Sequence, residues 1–148
     1  MISEHERDRV LAWVRESRGE VLTGGETNDQ GVILPTVIAN PQSQDKVQCE
    51  EVFGPVVTLS RVSSLDEAIE RANETRFGLQ AAIFSTDIRT CLAAAQRLEF
   101  GGVTVNEAPT FRADQMPYGG VKGSGNTKEG PAYTIREMTE ERLVVLQA

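Results

Sequence analysis

The chain has 148 residues, the size of one domain with a sizeable core, and 39% hydrophobic against 25% charged residues is an ordinary soluble globular mixture. A formal net charge of -7, with 15 scattered basic residues and no Lys/Arg block, opposes binding to nucleic acid or anionic lipid. Aromatics are only 5%, so the core must be mostly Val, Ile, Leu and Ala, which favours helices layered on a sheet over an aromatic-rich sandwich.

Ser3 and Glu6 have capping-box spacing, in which the Ser oxygen and the Glu carboxylate both satisfy orphan N–H groups. Val10, Trp13, Val14 and Ser17 follow at helical spacing and predict an amphipathic helix over residues 3–17, stopped by Gly19. A short strand is expected at residues 21–23, ending in Gly24-Gly25, and an extended segment at 31–39. Pro35 places that segment at an edge or a bulge, because proline cannot donate to a ladder. From Val56 the pattern is regular. Residues 56–60 read as a strand, and Ser64-x-x-Glu67 opens a helix with Leu65, Ala68, Ile69 and Ala72 inward. A strand at 81–84, a helix at 87–98 and a strand at 103–105 follow. This β-α-β-α-β order implies parallel strands with right-handed crossovers. Residues 107–131 are rich in Gly and Pro, and a stretch that long without regular structure suggests functional work. A short helix at 132–138 precedes the apolar strand Arg142-Leu143-Val144-Val145-Leu146.

The start, Met-Ile-Ser-Glu-His-Glu-Arg, is polar with no apolar region behind it. No apolar run approaches the roughly 18–20 residues that span a bilayer. Cys49 and Cys91 make neither a disulfide framework nor a zinc site, so a cytoplasmic location is expected. Glu50 and Glu51 directly after Cys49 oppose thiolate formation, and Cys91 shares a helical face with Ile88, Leu92 and Ala95. Both cysteines read as non-catalytic. His5 lies in the first turn of a surface helix without a partner network, which opposes a Ser-His-Asp or Cys-His site and a His-based metal site. No loop signature for magnesium or calcium is present.

The glycine-rich run Tyr118-Gly-Gly-Val-Lys122-Gly-Ser124-Gly125 fits neither a P-loop nor a dinucleotide fingerprint. It reads as a loop whose glycines supply positive φ. The string Glu50-Glu51-Val52-Phe53-Gly54-Pro55 has two readings. In one it is a turn with solvated acids and Phe53 plugging a core edge. In the other, Glu51 and Phe53 sit at a strand mouth, where ligands of open α/β sheets bind.

Taken together, Cys49-Glu-Glu-Val-Phe-Gly-Pro-Val, Asn73-Glu-Thr-Arg-Phe-Gly-Leu, Gly101-Gly-Val-Thr-Val-Asn106 and Met116-Pro-Tyr-Gly-Gly-Val-Lys-Gly-Ser-Gly125 resemble, in order and spacing, the C-terminal portion of the NAD(P)-dependent aldehyde dehydrogenase superfamily. The resemblance covers essentially the whole chain. It implies an α/β fold, a mostly parallel sheet with flanking helices, with residues 1–138 forming part of the catalytic domain and 139–148 a terminal oligomerisation strand. It further implies that Glu51 holds hydroxyls of the nicotinamide ribose, as a carboxylate accepting from a diol, and that Phe53 packs near the nicotinamide. Tyr118 and Arg112 would lie near the substrate entrance, with Lys122 and Ser124 structural.

The family's chemistry is attack of a cysteine thiolate on the aldehyde, hydride transfer to the cofactor and hydrolysis of the thioester. The resemblance places that nucleophile, the general-base Glu, the oxyanion-hole Asn and most of the NAD or NADP site upstream of Met1. No catalytic residue is therefore expected in this chain, which should be inactive and bind little cofactor alone. The segment Ala108-Pro-Thr-Phe-Arg112-Ala-Asp-Gln-Met-Pro resembles members acting on small polar aldehydes such as lactaldehyde or phosphorylated aldehydes. Arg112 would then pair with an anionic tail, or else bond its own loop or Asp114. Homo-oligomerisation through the strand from Arg142 to Leu146 is expected. The alternative reading is a non-catalytic α/β module that self-associates through the same strand.

Overall fold

The first helix begins where the capping signal places it. In the computed structural model, which describes residues 2–147, α1 spans Glu4–Glu16 and Ser3 Oγ accepts from the Glu6 N–H at 3.2 Å. Only the Ser half of the capping box forms, because the Glu6 carboxylate is taken by Arg9 Nε at 2.7 Å. A charge-assisted pair wins it over a neutral amide. Two compact units make up the chain, Met1–Ser63 and Ser64–Ala148.

In the first unit, β1 (Glu20–Thr23), β2 (Thr36–Ala39) and β3 (Val56–Leu59) form one sheet in that order. β1 runs antiparallel to β2, with an irregularity between Val21 and Thr23, and β3 runs parallel to it. β2 is thus central, not the edge strand that Pro35 suggested. Pro35 costs no ladder bond, since it stands one residue before the first paired residue, Thr36, whose N–H donates to the Pro55 carbonyl at 2.8 Å. Thr36 also locks the Gly24-Gly25 turn: its Oγ1 accepts from the Gly25 N–H at 2.9 Å and donates to the Leu34 carbonyl at 2.8 Å. Gly24 has φ of 72°, and a Cβ there would meet the Pro35 carbonyl, so this turn requires glycine.

One face of the sheet packs on α1. Val10, Leu11 and Val14 from the helix meet Ile33, Ile38 and Val47, with Trp13, Val52 and Val56 at the margin. Each fully buried Val, Leu or Ile contributes about 1.5–3 kcal/mol relative to exposure. The short α2 (Lys46–Cys49), which sequence periodicity did not reveal, brings Val47 into this core. Ahead of it the buried Asp45 carboxylate accepts from Arg18 N at 2.9 Å, Gln42 N at 3.0 Å and Ser17 Oγ at 3.1 Å. Burial alone would raise its pKa, but these bonds and the Arg18 charge outweigh burial and leave the carboxyl below its ordinary value. Asp45 therefore ties the end of α1 to the turn before α2.

The second unit contains α3 (Leu65–Asn73), β4 (Gln80–Ile83), α4 (Ile88–Arg97), β5 (Gly102–Val105) and α5 (Pro131–Glu137). Ser64 caps α3 by accepting a backbone N–H bond, as its spacing implies, and Asp87 caps α4 in the same way. β4 and β5 pair in parallel across the α4 crossover. The predicted β-α-β-α-β run is divided, because β3 belongs to the sheet of the first unit. Leu65, Ala68, Ile69 and Ala72 line an apolar crevice of about 120 Å³ closed by residues of β4 and α4, which is the inward face expected for α3.

The face of α4 differs from expectation. Cys91 is buried as foreseen, but its buried companion is Ala94, while Ile88, Leu92 and Ala95 are exposed. Small side chains let a helix approach its neighbour closely, and here that packing sets the inward face rather than the largest apolar residues. The segment from Arg142 to Leu146 forms no strand in this structure, and Leu143 and Leu146 are 88% and 89% exposed. A strand needs a ladder partner, and the segment has none among the described residues. No described helix is long and apolar enough to cross a membrane.

Candidate functional site

Glu51 and Phe53 lie between α2 and β3, so they stand at the amino-terminal end of β3 and not at the carboxyl ends where ligands of open sheets gather. Their presentation comes from local packing instead. Val52, between them, packs against the core of the first unit, and its carbonyl accepts from Arg9 Nη2 at 2.9 Å. With Val52 turned inward, the side chains on either side are left outside. Phe53 is 72% exposed, which rules out the core-plug reading. Its φ of 50° is a left-handed conformation that costs a bulky L-residue about 1–2 kcal/mol. Glu51 is exposed, and its carboxylate has no hydrogen bond or ion pair among the described residues. An acceptor without an internal partner thus stands two residues from an aromatic ring held in an uncommon backbone state.

The second unit holds the other expected site residues. Tyr118 and Glu129 form an antiparallel bridge, with N···O distances of 3.0 and 2.6 Å. Arg112 donates from Nη2 to Glu129 Oε2 at 2.9 Å and lies over the Tyr118 ring at 4.5 Å from its centroid. Of the two expectations for Arg112, bonding within its own loop is realised, with Glu129 rather than Asp114 as the acceptor. The pair holds the guanidinium between a carboxylate and a ring face, the arrangement that its planar fork favours. The Arg112 side chain remains 43% exposed.

The glycine-rich run is a structural clamp. Lys122 donates from Nζ to the Asn73 carbonyl at 3.0 Å and pairs with Glu99 at 2.7 Å, and Ser124 Oγ accepts from the Gly78 N–H at 2.9 Å. Lys128 Nζ donates to the Gly119 carbonyl at 3.2 Å. Its glycines mostly do not supply positive φ: of those in the run only Gly125, at 114°, does. They permit close approach instead, because a Cβ on Gly119 would strike the Thr127 carbonyl and one on Gly120 the Ser124 backbone. Asn73, which opens the second string, and Asn106, which ends the third, are also occupied. The Asn73 amide bonds Arg97 O and Glu99 N, each at 2.9 Å, and the Asn106 amide bonds both backbone groups of Ser85 at 2.9 and 3.0 Å.

Cys49 Sγ hydrogen-bonds to the Gln44 carbonyl at 3.7 Å, and Cys91 Sγ to the Ser85 carbonyl at 3.7 Å. His5 is exposed, and no group of three His, Cys, Asp or Glu side chains among the described residues is placed to hold a metal ion.

The family model described as "Aldehyde dehydrogenase family" matches residues 1–144. The chain is 45% identical over 148 residues to 3-sulfolactaldehyde dehydrogenase of Priestia megaterium, covering 99% of this chain and 31% of that protein. It is 40% identical over 149 residues to lactaldehyde dehydrogenase of Methanococcus maripaludis, covering 99% and 32%. Among solved structures, aldehyde dehydrogenase 21 from Physcomitrella patens, in complex with the reaction product succinate, matches with a TM-score of 0.89 and 40% identity, over 95% of this chain and 30% of that one. The chain therefore spans slightly under a third of the length of the relatives it matches.

Proposed function

The chain belongs to the aldehyde dehydrogenase family, and from that premise we propose that it supplies the nicotinamide-side wall of an enzyme that oxidises aldehydes to carboxylates with NAD or NADP. The observation that carries this reading is the pairing of a partnerless Glu51 carboxylate with a Phe53 ring that is exposed and held at φ of 50°. Both features cost folding free energy or contribute nothing to it, whereas the other motif residues clamp the fold. A carboxylate suits the ribose diol because it accepts two hydrogen bonds, and an exposed ring suits the face of a nicotinamide. When bound, the cofactor would accept the hydride, and these two residues would orient it.

Two thirds of the relatives' length has no counterpart here, and the nucleophile and most of the cofactor site belong in this reading to polypeptide outside this sequence. The chain alone, incubated with NAD or NADP and a panel of aldehydes, is expected to produce no reduced cofactor by absorbance. Activity should appear when the polypeptide supplying the remaining two thirds is added. Turnover by the chain alone would overturn this reading, and silence of the combined polypeptides would favour the non-catalytic module. The cytoplasm suits an enzyme with unpaired thiols such as Cys49 and Cys91.

The substrate proposed is a small polar aldehyde, with Arg112 pairing an anionic tail. Its fork is already oriented by Glu129 and Tyr118 and keeps exposed surface. The name of the Priestia relative contains a sulfonated aldehyde and the Physcomitrella structure holds a dicarboxylate product, while the Methanococcus relative is named for a neutral aldehyde. In the reconstituted enzyme, Arg112→Ala should raise KM for anionic aldehydes roughly tenfold or more, the scale of one lost charge-assisted pair. An equal rise for neutral aldehydes would count against the assignment.

Self-association is proposed through the segment from Arg142 to Leu146. Its exposed apolar side chains seek the ladder partner they lack among the described residues. Sedimentation at tens of micromolar should show a species larger than a monomer, and a strictly monomeric boundary would refute this.

A further inference from the structure

We propose that Arg9 is a positioning residue that fixes the Glu51–Phe53 loop in its presenting conformation from the opposite element, α1. The guanidinium is engaged on three sides. Its Nε donates to Glu6 Oε2 at 2.7 Å, its plane lies 4.4 Å from the centroid of the Trp13 ring, and its Nη2 donates to the Val52 carbonyl at 2.9 Å. Glu6 and Trp13 are both on α1, so they hold the fork rigidly against the helix and aim its outer nitrogen across 43 residues of sequence. The side chain is only 23% exposed, which strengthens each of these interactions relative to a solvated pair.

The acceptor is informative. Val52 is the peptide immediately before Phe53, and the carbonyl that Arg9 holds is part of the peptide plane that φ of Phe53 rotates against. Fixing that plane while Val52 packs in the core leaves the Phe53 backbone little freedom to relax from 50° to an ordinary negative φ. The left-handed state of a bulky residue persists only where surrounding structure over-determines it, and the Arg9 hydrogen bond to the Val52 carbonyl ties residues 51–53 to α1. Trp13, with Arg9 on its ring and Lys46 Nζ at 6.0 Å, serves in this account as the platform for the fork. That the loop faces a nicotinamide rests on the function proposed above; that Arg9 sets the loop does not.

The test uses the 148-residue chain in solution. Arg9→Met keeps an unbranched stem on Trp13 and removes the donors, and Arg9→Lys returns one donor without the fork. A residue at positive φ gives a strong intraresidue HN–Hα NOE. Wild-type chain should show it at Phe53. Arg9→Met should lose it and speed amide exchange at residues 51–54, about tenfold for the loss of one hydrogen bond to a charged group. Amide shifts of β1, β2 and β3 should stay in place. Arg9→Lys should retain the NOE in part. An unchanged Phe53 NOE in Arg9→Met overturns the proposal, as does uniform loosening of the whole sheet. If Arg9→Met does not fold, the comparison of Arg9→Lys with wild type decides by the same signal.

A second arm separates this inference from the function it extends. In the reconstituted enzyme, Arg9→Met should raise the cofactor KM about three- to tenfold with kcat at saturating cofactor little changed. In a Glu51→Ala, Phe53→Ala background it should add nothing further, because Arg9 acts only through those residues. Full additivity would overturn the positioning role. A response of the Phe53 NOE to Arg9→Met, with cofactor KM indifferent to Glu51→Ala and Phe53→Ala, would instead leave the positioning role standing and remove the nicotinamide reading.

Discussion

Gly101→Ala is expected to unfold the Ser64–Ala148 unit, at a cost above about 3 kcal/mol. A Cβ on Gly101 would collide with the Gly119 carbonyl, and it would lie 2.9 Å from the Gly120 Cα. Both obstacles are backbone, so no rotamer change relieves them. Gly101 cannot retreat either, because its N–H donates to the Gly78 carbonyl at 2.9 Å, the same oxygen that accepts from Val121 at 3.0 Å. The neighbouring Gly119 is held by Lys128 and blocked by Thr127 on its far side. Three segments from different parts of the chain therefore meet where only hydrogen atoms fit. NMR of Gly101→Ala should lose the dispersed amide signals of residues 64–147. Gly125→Ala is the control: nothing lies within 4 Å of its Cβ, so only the backbone conformation, φ of 114° with ψ of 175°, is penalised, at about 1–3 kcal/mol. Equal unfolding midpoints for Gly101→Ala and wild type would refute the close-approach account.

The second large effect is functional. Glu51→Ala, assayed in the reconstituted enzyme, should raise the cofactor KM about ten- to a hundredfold. That range corresponds to losing one or two hydrogen bonds to a charged acceptor, each about 1.5–3 kcal/mol. Glu51→Gln should fall between, since its amide keeps one acceptor oxygen. Stability should change by no more than about 0.5 kcal/mol, because Glu51 is exposed and has no partner to lose among the described residues. This combination, a large cofactor effect on an unchanged fold, distinguishes a ligand contact from a packing residue. A cofactor KM that does not respond to Glu51→Ala would end the assignment.

How much was legible depended on whether a feature is local. Ser3 and Ser64 are readable as caps because an N-cap bond closes within three residues. The same locality explains why α1 and α4 appear within a residue or two of their expected bounds and why α3 opens where Ser64 places it. The capping box was half wrong because Arg9 competes for Glu6, a pairing that spacing alone does not rank. α2 escaped notice because four residues carry too little periodicity to register. Pro35 misled about the edge because one residue of offset decides whether proline interrupts a ladder.

The candidate site divides in the same way. Glu51, Phe53, Arg112 and Tyr118 were named from short strings, and the strings carry residue type and order. They do not carry exposure. That Val52 turns inward and Phe53 outward depends on the α1 core, more than 30 residues earlier. Arg9 and Glu129 were not recognised as partners, since they are 43 and 17 residues from the groups they hold. A lone Arg at an inward-facing position of an amphipathic helix was the available signal for the first.

By itself, the sequence determined the longer helices, the Ser3 and Ser64 caps, the parallel β-α-β step and the family, because each is written in near-neighbour chemistry or in short ordered strings. Tertiary structure alone decided which strand is central, which face of α4 is buried and why the glycines of residues 119–123 are glycines. It also decided that Glu51 is left without a partner while Asn73 and Asn106 are consumed. The physical reason is common to all of these. Burial, steric approach and hydrogen-bond competition are properties of segments that meet in space, and a residue's own neighbours along the chain do not specify who else arrives.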